Sequence, residues 1–337
     1  MTRRDDRLAL AHRADALGLP DTGRIAVLGA IETTLYGLLG RERFVCQQSD
    51  RLIHDLLAAQ GLAVAPDDPD RAEAAIVVAT RNRAETLGMV ARALAIVPEE
   101  APVVVTGAKT DGIDAIMRQL GRVLPLEGSM SKAHGRVLRL RRPAQLPDAA
   151  REWEAAAALQ PNADGFLSAP GMFSHAHADP GSQRLAAHLE GRLTGRVAEL
   201  GAGWGWLAAQ ALALNPAVES LDLHESDARA LEAARRNVPD ARARFHWSDV
   251  TRLGAEPVCD WVITNPPFHR SREAEPALGA AFVAAAARVL RPAGRLMLVA
   301  NRSLPYEAPL ARAFREVTPL AEDATFKVIL AGRSIKG

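Results

Sequence analysis

The apolar and polar positions of this chain fall into short β-branched runs that alternate with longer stretches whose apolar residues recur at helical spacing. Residues 24–30, Arg-Ile-Ala-Val-Leu-Gly-Ala, read as a strand ending in glycine, with a helix-like run over 32–39 behind it. A strand at 44–48 follows. Asp50 then opens a helix to Gln60 that carries Leu52, Ile53, Leu56 and Leu57 on one face. Strands at 74–79, 102–106 and 135–140 alternate with helices at 84–96 and 112–120. This alternation predicts an α/β fold: a largely parallel sheet with helices on both faces. Past Pro143 the polarity rises and residues 148–159 read as an alanine-rich connecting helix, so two domains are expected, over 1–146 and 147–337. Residues 161–181, dense in glycine, proline and asparagine or aspartate around Phe166 and Phe173, read as a structured loop.

The second half repeats the first. Residues 196–202 (Arg-Val-Ala-Glu-Leu-Gly-Ala) match 24–30, and residues 221–227 match 44–50, again just before a helix. The strand ending at Asn265 matches the one ending at Thr80, 296–299 match 103–106, and 327–330 match 136–139. Five matches in one order predict duplication of a whole domain rather than a solenoid. Where the copies differ, Glu199 faces Val27, Gly203 faces Ile31, Gly205 faces Thr33, Glu225 faces Gln48, and residues 265–268 face Thr80-Arg81-Asn82-Arg83. The first copy has lost acid, glycine and amide while keeping its core, so ligand chemistry is expected in the second copy alone.

Composition narrows the partners. Lysine and arginine (41) nearly cancel aspartate and glutamate (40), so a polyanion would have to be met by a local patch. Cys46 and Cys259, the two cysteines, each lie in an apolar run and read as core residues. His175, His177 and Asp179 form no closed ligand set and read as solvated loop residues, so no metal is expected. The charged amino terminus and the lack of a membrane-length apolar window lead to an expectation of a cytoplasmic protein with no membrane partner; the sequence leaves the oligomeric state open, with a monomer expected.

The candidate chemistry lies at predicted strand ends. Gly201-Ala202-Gly203-Trp204-Gly205 follows a strand and opens a helix, as a tight turn approached by a ligand requires. A dinucleotide fingerprint would need a third glycine where Trp206 stands, which weakens a nicotinamide reading. Glu225 ends the next strand at the distance of a ribose-binding acid, or is a helix-start acid. Asp249 is placed to accept from an adenine amine beside the Val250 backbone, or only to cap a turn. Within Asp260 to Phe268, Trp261 to Thr264 reads as a buried strand that Pro266 and Pro267 stop. Asn265 and the Pro266 carbonyl then offer two acceptors, and Phe268 a flat face, to a planar exocyclic amine; a plain turn after a strand is the alternative.

Taken in order, these motifs make the second half resemble class I S-adenosylmethionine-dependent methyltransferases that alkylate planar amino nitrogens. Gly171-Met172-Phe173-Ser174, Gly181-Ser182-Gln183, Asn265-Pro266-Pro267-Phe268-His269, Val299-Ala300-Asn301 with Leu304-Pro305-Tyr306, and Phe326-Lys327-Val328 resemble the bacterial ribosomal RNA guanine-N2 methyltransferases of the RsmC type. The resemblance implies two tandem Rossmann-like domains, the first without cofactor. It also implies a seven-stranded catalytic sheet whose last strand, near 326–330, is antiparallel. The cofactor would be S-adenosylmethionine, held by Glu199, Gly201, Gly203, Gly205, Glu225, Asp249, Val250 and Asn265. Asn265, Pro266 and Phe268 would act on the target amine, and Phe173, Pro267, Phe268 and His269 would hold the base. The implied partner is ribosomal RNA or a ribosomal subunit, with the small subunit placed ahead of the large. Arg270 and Ser271 depart from the usual small or acidic residues, which bears on target choice. A large-subunit guanine, an adenine N6, or a protein glutamine remains an alternative target for the same Asn-Pro-Pro-Phe chemistry. Arg81, Arg83, Lys109, Arg118 and Arg122 of the first domain are placed to contact the RNA backbone, unless that domain serves only as a folding partner.

Overall fold

A computed structural model describes residues 6–254, 258–267 and 275–335, with the side chains of 275 and 276 left out. The chain divides into two compact units: residues 1–159 with 169–171, and residues 160–168 with 172–337.

The first unit runs α1 (Arg7–Arg13), β1 (Ile25–Leu28), α2 (Leu35–Leu39), β2 (Phe44–Gln47), α3 (Arg51–Ala58), β3 (Ala63–Ala65), β4 (Ala74–Val78), α4 (Arg83–Ile96), β5 (Pro102–Ala108), α5 (Ile113–Leu120), β6 (Leu126–Lys132), β7 (Gly135–Arg141) and α6 (Asp148–Ala157). The second continues with β8 (Gln160–Pro161), β9 (Leu167–Ser168), α7 (Pro180–Ala186), β10 (Gly195–Leu200), α8 (Trp206–Leu214), β11 (Val218–Glu225), α9 (Ala228–Asn237), β12 (Ala243–Trp247), β13 (Cys259–Thr264), α10 (Glu275–Val289), β14 (Leu290–Asn301), α11 (Glu307–Ala313), β15 (Phe314–Glu322) and β16 (Phe326–Ser334).

The two large sheets share one topology, in strand order β3-β2-β1-β4-β5-β7-β6 and β12-β11-β10-β13-β14-β16-β15. In each, five strands are parallel and the strand beside the fifth is antiparallel; β16 pairs antiparallel with both β14 and β15. Central strands buried on both faces read as unbroken apolar runs. Ile25–Leu28 and Ala74–Val77 are all fully buried, and Trp261–Thr264 nearly so. In the second sheet one face packs on α7, α8 and α9 through Leu185, Leu207, Ala211 and Ala234, and the other on α10 and α11 through Phe282, Val283 and Leu310.

Three strands of the two large sheets escaped the sequence pattern. β3 and β15 are short or solvated edge strands with few buried side chains, and β6 is an exposed edge with its apolar residues spaced by serine and glycine. The expected boundary at 146/147 also falls one helix early, because α6 packs on α4 within the first unit through buried Ala150 and Trp153. Gly88 of α4 makes that approach possible, since a side chain there would strike Ala157.

In the first unit the positions that match the second unit's acids, glycine turn and amide carry other side chains, which are buried or bonded within the unit. Val27 is fully buried where the second unit has Glu199. The Gln48 amide donates to the Ala30 carbonyl at 2.7 Å and its oxygen accepts from Asp50 N at 2.8 Å. Asp6 accepts from Thr33 Oγ1, Thr34 N and Thr34 Oγ1 at 2.6–2.8 Å, closing the amino end of α2. At the position of Asn265, Thr80 donates to Glu85 at 2.6 Å.

Candidate active site at the carboxyl edge of the second sheet

The glycine turn after β10 is built from three left-handed residues, Gly201, Gly203 and Gly205, with φ of 78°, 54° and 88°. Their backbone is tied to β11, because Gly201 N and Ala202 N both donate to the His224 carbonyl at 2.9 and 3.0 Å. Gly205 must also lack a side chain for packing: a Cβ would lie 3.0 Å from Ala234 Cβ and Val238 Cγ2 of the α9 region. At Gly203 a Cβ would meet nothing within 4 Å, so this glycine faces open space.

Acids stand at the ends of three neighbouring strands. Glu225 accepts from Gly203 N at 2.7 Å and Asp227 N at 2.8 Å, which leaves Asp227 to cap α9. Burial, and then the Asp227 charge, push its carboxyl above the usual range despite those bonds. Glu199 is 2% exposed, and its Oε2 has no hydrogen-bond partner among the described residues. Burial first, and the Glu225 charge second, raise its carboxyl well above the ordinary value. Asp249 caps the turn over 250–252 by accepting from Thr251 N and Oγ1 at 2.9 and 2.7 Å. Its second oxygen makes no hydrogen bond among the described residues but pairs with Arg252 Nε at 3.4 Å, so one side chain both caps the turn and keeps acceptor capacity.

Asn265 follows β13, with Pro266 buried behind it and Pro267 partly exposed. Its Nδ2 donates to Asp179 Oδ2 at 2.7 Å and to Ser182 Oγ at 2.8 Å. Its Oδ1 is buried and makes no hydrogen bond among the described residues. A cleft of about 420 Å³, open to solvent, joins Asn265, Asp179 and Ser182 to Glu199, the 201–204 turn and Phe173. Phe173 is 48% exposed at this cleft, and its carbonyl accepts from the Trp204 indole at 2.9 Å. Asn237 ties the neighbouring loop in place: its amide bonds Leu167 N, Leu167 O and Trp204 O at 2.7–2.8 Å.

Glu199, Gly201, Gly203, Phe173 and Asn265 thus meet in one cleft. Glu225, Asp249 and Val250 stand at the adjoining strand ends, outside that lining, and Gly205 supports the turn from behind. Phe268 and His269, with Arg270 and Ser271, lie outside the described residues. Asp179 is not the solvated loop residue that the sequence suggested, since it caps α7 and holds Asn265. Aspartate directly before proline at a helix start is a capping signature that would have found it. Nothing comparable marks Ser182, Trp204 or Asn237, whose partners are 31 to 83 residues away in sequence. Among the described residues no group of three His, Cys, Asp or Glu side chains is placed to hold a metal, and no helix is long and apolar enough to cross a membrane.

Residues 164–330 match the methyltransferase small domain family. A curated protein of Chromohalobacter salexigens, ribosomal RNA small subunit methyltransferase C, is 32% identical over 245 residues, covering 70% of this chain and 71% of its own. The chain belongs to this methyltransferase C family. Its fold is similar to that of a solved structure, the T. thermophilus 16S rRNA N2 G1207 methyltransferase (RsmC) in complex with AdoMet and guanosine. That structure superposes with a TM-score of 0.76 at 22% identity, over 93% of this chain and 88% of its own. The Alcanivorax borkumensis ribosomal RNA large subunit methyltransferase G is 38% identical over 164 residues, 47% of this chain and 42% of its own. The chain likewise spans about half the length of several other curated methyltransferase C relatives that it matches.

Methyltransferase C membership implies S-adenosylmethionine, and the residues present fit it. Three carbonyl or carboxyl oxygens are buried without a hydrogen bond among the described residues: Glu199 Oε2, Asp249 Oδ2 and Asn265 Oδ1. All three lie at carboxyl ends of the second sheet, where open α/β sheets bind ligands. Buried acceptors left without donors cost free energy, on the order of 1 to 3 kcal/mol each. The ammonium and amino donors of S-adenosylmethionine would satisfy Glu199 Oε2 and Asp249 Oδ2, which leaves Asn265 Oδ1 to a donor on the substrate.

Proposed function

We propose that the protein transfers a methyl group from S-adenosylmethionine to the exocyclic N2 of a guanine in ribosomal RNA, in the small subunit. The observation that carries this reading is the Asn265 amide, whose oxygen is buried with no hydrogen bond among the described residues while its nitrogen is held from behind. Glu199, Gly201, Gly203, Glu225, Asp249 and Val250 would hold the cofactor, which supplies an electrophilic methyl group when bound. Gly205 sets the approach of α9 behind the turn. An exocyclic amine of guanine is a poor nucleophile because its lone pair is delocalised into the ring. The Asn265 oxygen and the Pro266 carbonyl accept its two hydrogens, and so orient the nitrogen and favour its pyramidal form. Phe173 would border the base from the cleft wall, and Pro267 follows Asn265 and Pro266 directly, whereas Phe268 and His269 are assigned to the base from the sequence alone and lie outside the described residues. A base within a duplex does not reach such a cleft, so the target is unpaired or flipped out. Arg81, Arg83 and Lys109 are exposed at the carboxyl edge of the first sheet and suit phosphate contacts, with Arg118 and Arg122 on and after α5.

The Alcanivorax relative favours a second reading, a large-subunit guanine, with the same chemistry. The two readings separate when the protein is incubated with methyl-labelled cofactor and isolated small or large subunits from a strain lacking it, followed by digestion to nucleosides. Label in N2-methylguanosine from small-subunit RNA is the expected result, and from large-subunit RNA it moves the target. Label in N6-methyladenosine or in protein rejects guanine.

A further inference from the structure

The described side chains that hold the Asn265 amide come from a different part of the chain, the start of α7. Asp179 Oδ2 and Ser182 Oγ take the two Nδ2 hydrogens at 2.7 and 2.8 Å, and the same Asp179 carboxylate accepts from Ser182 N at 2.9 Å as the helix cap. An aspartate carboxylate is acceptor-only, so it admits one orientation of the amide: nitrogen toward α7, oxygen toward the cleft. A flipped amide would set two oxygens against each other and turn a donor to the substrate. Gly181 lies between the two groups. A Cβ there would come within 2.9 Å of Asp179 Oδ2, 3.2 Å of the Phe326 ring and 3.5 Å of Asn265 Nδ2.

We infer that Asp179 and Ser182 are positioning residues that lock Asn265 as a pure acceptor, and that this lock restricts the site to targets presenting an N–H₂ donor. The inference rests on the proposed transfer to an exocyclic amine. Gly181 leaves the space the lock needs. A carboxylate behind the amide also polarises it, placing more negative charge on Oδ1 where the amine hydrogen is received.

Two substitutions separate positioning from folding. Asp179→Asn keeps a good helix cap, because asparagine caps as well as aspartate, yet it can donate to Asn265 Oδ1 and permits the flip. Gly181→Ala favours the helix by intrinsic propensity while pushing the carboxylate away from Asn265. Asp179→Asn should melt near the wild type and Gly181→Ala below it, because its Cβ crowds Asp179 Oδ2 and the Phe326 ring, and the folded protein of both should bind S-adenosylmethionine within about twofold. Their kcat on RNA substrate should fall by about tenfold to a hundredfold, with KM little changed, as expected for a misoriented group. A lower kcat only in proportion to lost folded protein, or unchanged kcat, overturns the inference.

A second readout does not depend on the reaction. The chain has six asparagines, so ¹⁵N-asparagine labelling gives six side-chain amide pairs, and Asn265→Ala assigns one of them. In the wild type the Asn265 pair should exchange slowly with water and be shifted by its two acceptors, and Asp179→Asn should abolish both features. A fast-exchanging Asn265 amide in the wild type overturns the lock whatever the enzyme methylates. A locked amide in a protein that does not methylate guanine instead rejects the proposed function and keeps the positioning role.

Discussion

Replacing Gly203 and Gly205 in turn by alanine separates ligand space from packing space. Both glycines are left-handed, so alanine at either costs about 1 to 2 kcal/mol of backbone strain, partly offset by a less flexible unfolded chain. Gly205→Ala adds a Cβ 3.0 Å from Ala234 Cβ and Val238 Cγ2, and 3.1 Å from Ala234 Cα. That overpacking costs about 1 to 3 kcal/mol more, since helix backbone is slow to yield. Gly203→Ala meets no atom within 4 Å and adds nothing beyond strain. Thermal melts should therefore rank wild type above Gly203→Ala above Gly205→Ala, at about 2 to 4 °C per kcal/mol for a unit of this size. Adding S-adenosylmethionine reverses the emphasis. At a hundredfold excess over Kd the wild type gains about 2.7 kcal/mol. Gly205→Ala should keep most of that gain, whereas Gly203→Ala, whose methyl enters the cleft, should lose it. Equal destabilisation by the two variants, or a full ligand gain in Gly203→Ala, would refute the assignment of space around this turn.

The remaining predictions concern protonation and stoichiometry. Glu199 is raised by burial and then by Glu225, so the native state holds its proton more tightly than the unfolded chain, and its contribution to stability falls as pH rises from 4.5 through the folded value. Glu199→Gln should therefore stabilise the ligand-free protein at pH 8 and lose that advantage near pH 4; a lower melting temperature than wild type at pH 8 contradicts this. His224 is depressed to about 4 by burial and then by His246, the opposite sign, so stability is lost as pH falls from 6.5 to about 4. His224→Gln should flatten that acid limb by on the order of 3 kcal/mol in urea titrations, and an unaltered limb rejects the assignment. Calorimetric titration of the full chain should give one S-adenosylmethionine per molecule, because Asp6, Gln48 and Thr80 close the first unit's counterpart; two equivalents would overturn that closure.

Much of this was legible in the sequence because central parallel strands carry continuous apolar runs. Residues 24–30 and 196–202, with their partners downstream, therefore gave both sheets and the duplication. Edge strands carry no such signal: in β15 most side chains are exposed, and its register is set by pairing with β16. The site divides along the same line. Gly203, Glu225 and Asn265 sit at strand ends that the pattern located, and backbone geometry fixed what they face. Asp179 and Ser182 reach Asn265 across more than eighty residues of sequence, and only the packing of α7 against the sheet end brings them there. Glu199 shows the same limit: its position was visible, whereas a buried oxygen with no hydrogen bond among the described residues follows from the arrangement of β10 between β11 and β13.

The central claim is that Asn265 acts on the reacting amine while the neighbouring acids hold the cofactor. Single-turnover transfer by Asn265→Ala and Glu225→Ala, with RNA and cofactor both saturating and cofactor affinity measured alongside, tests it most directly. Asn265→Ala should lose about a hundredfold to a thousandfold in rate with S-adenosylmethionine affinity nearly unchanged, as for removal of a group that stabilises the transition state. Glu225→Ala should lose affinity and recover most of its rate at saturation. Near-normal turnover by Asn265→Ala would contradict the account.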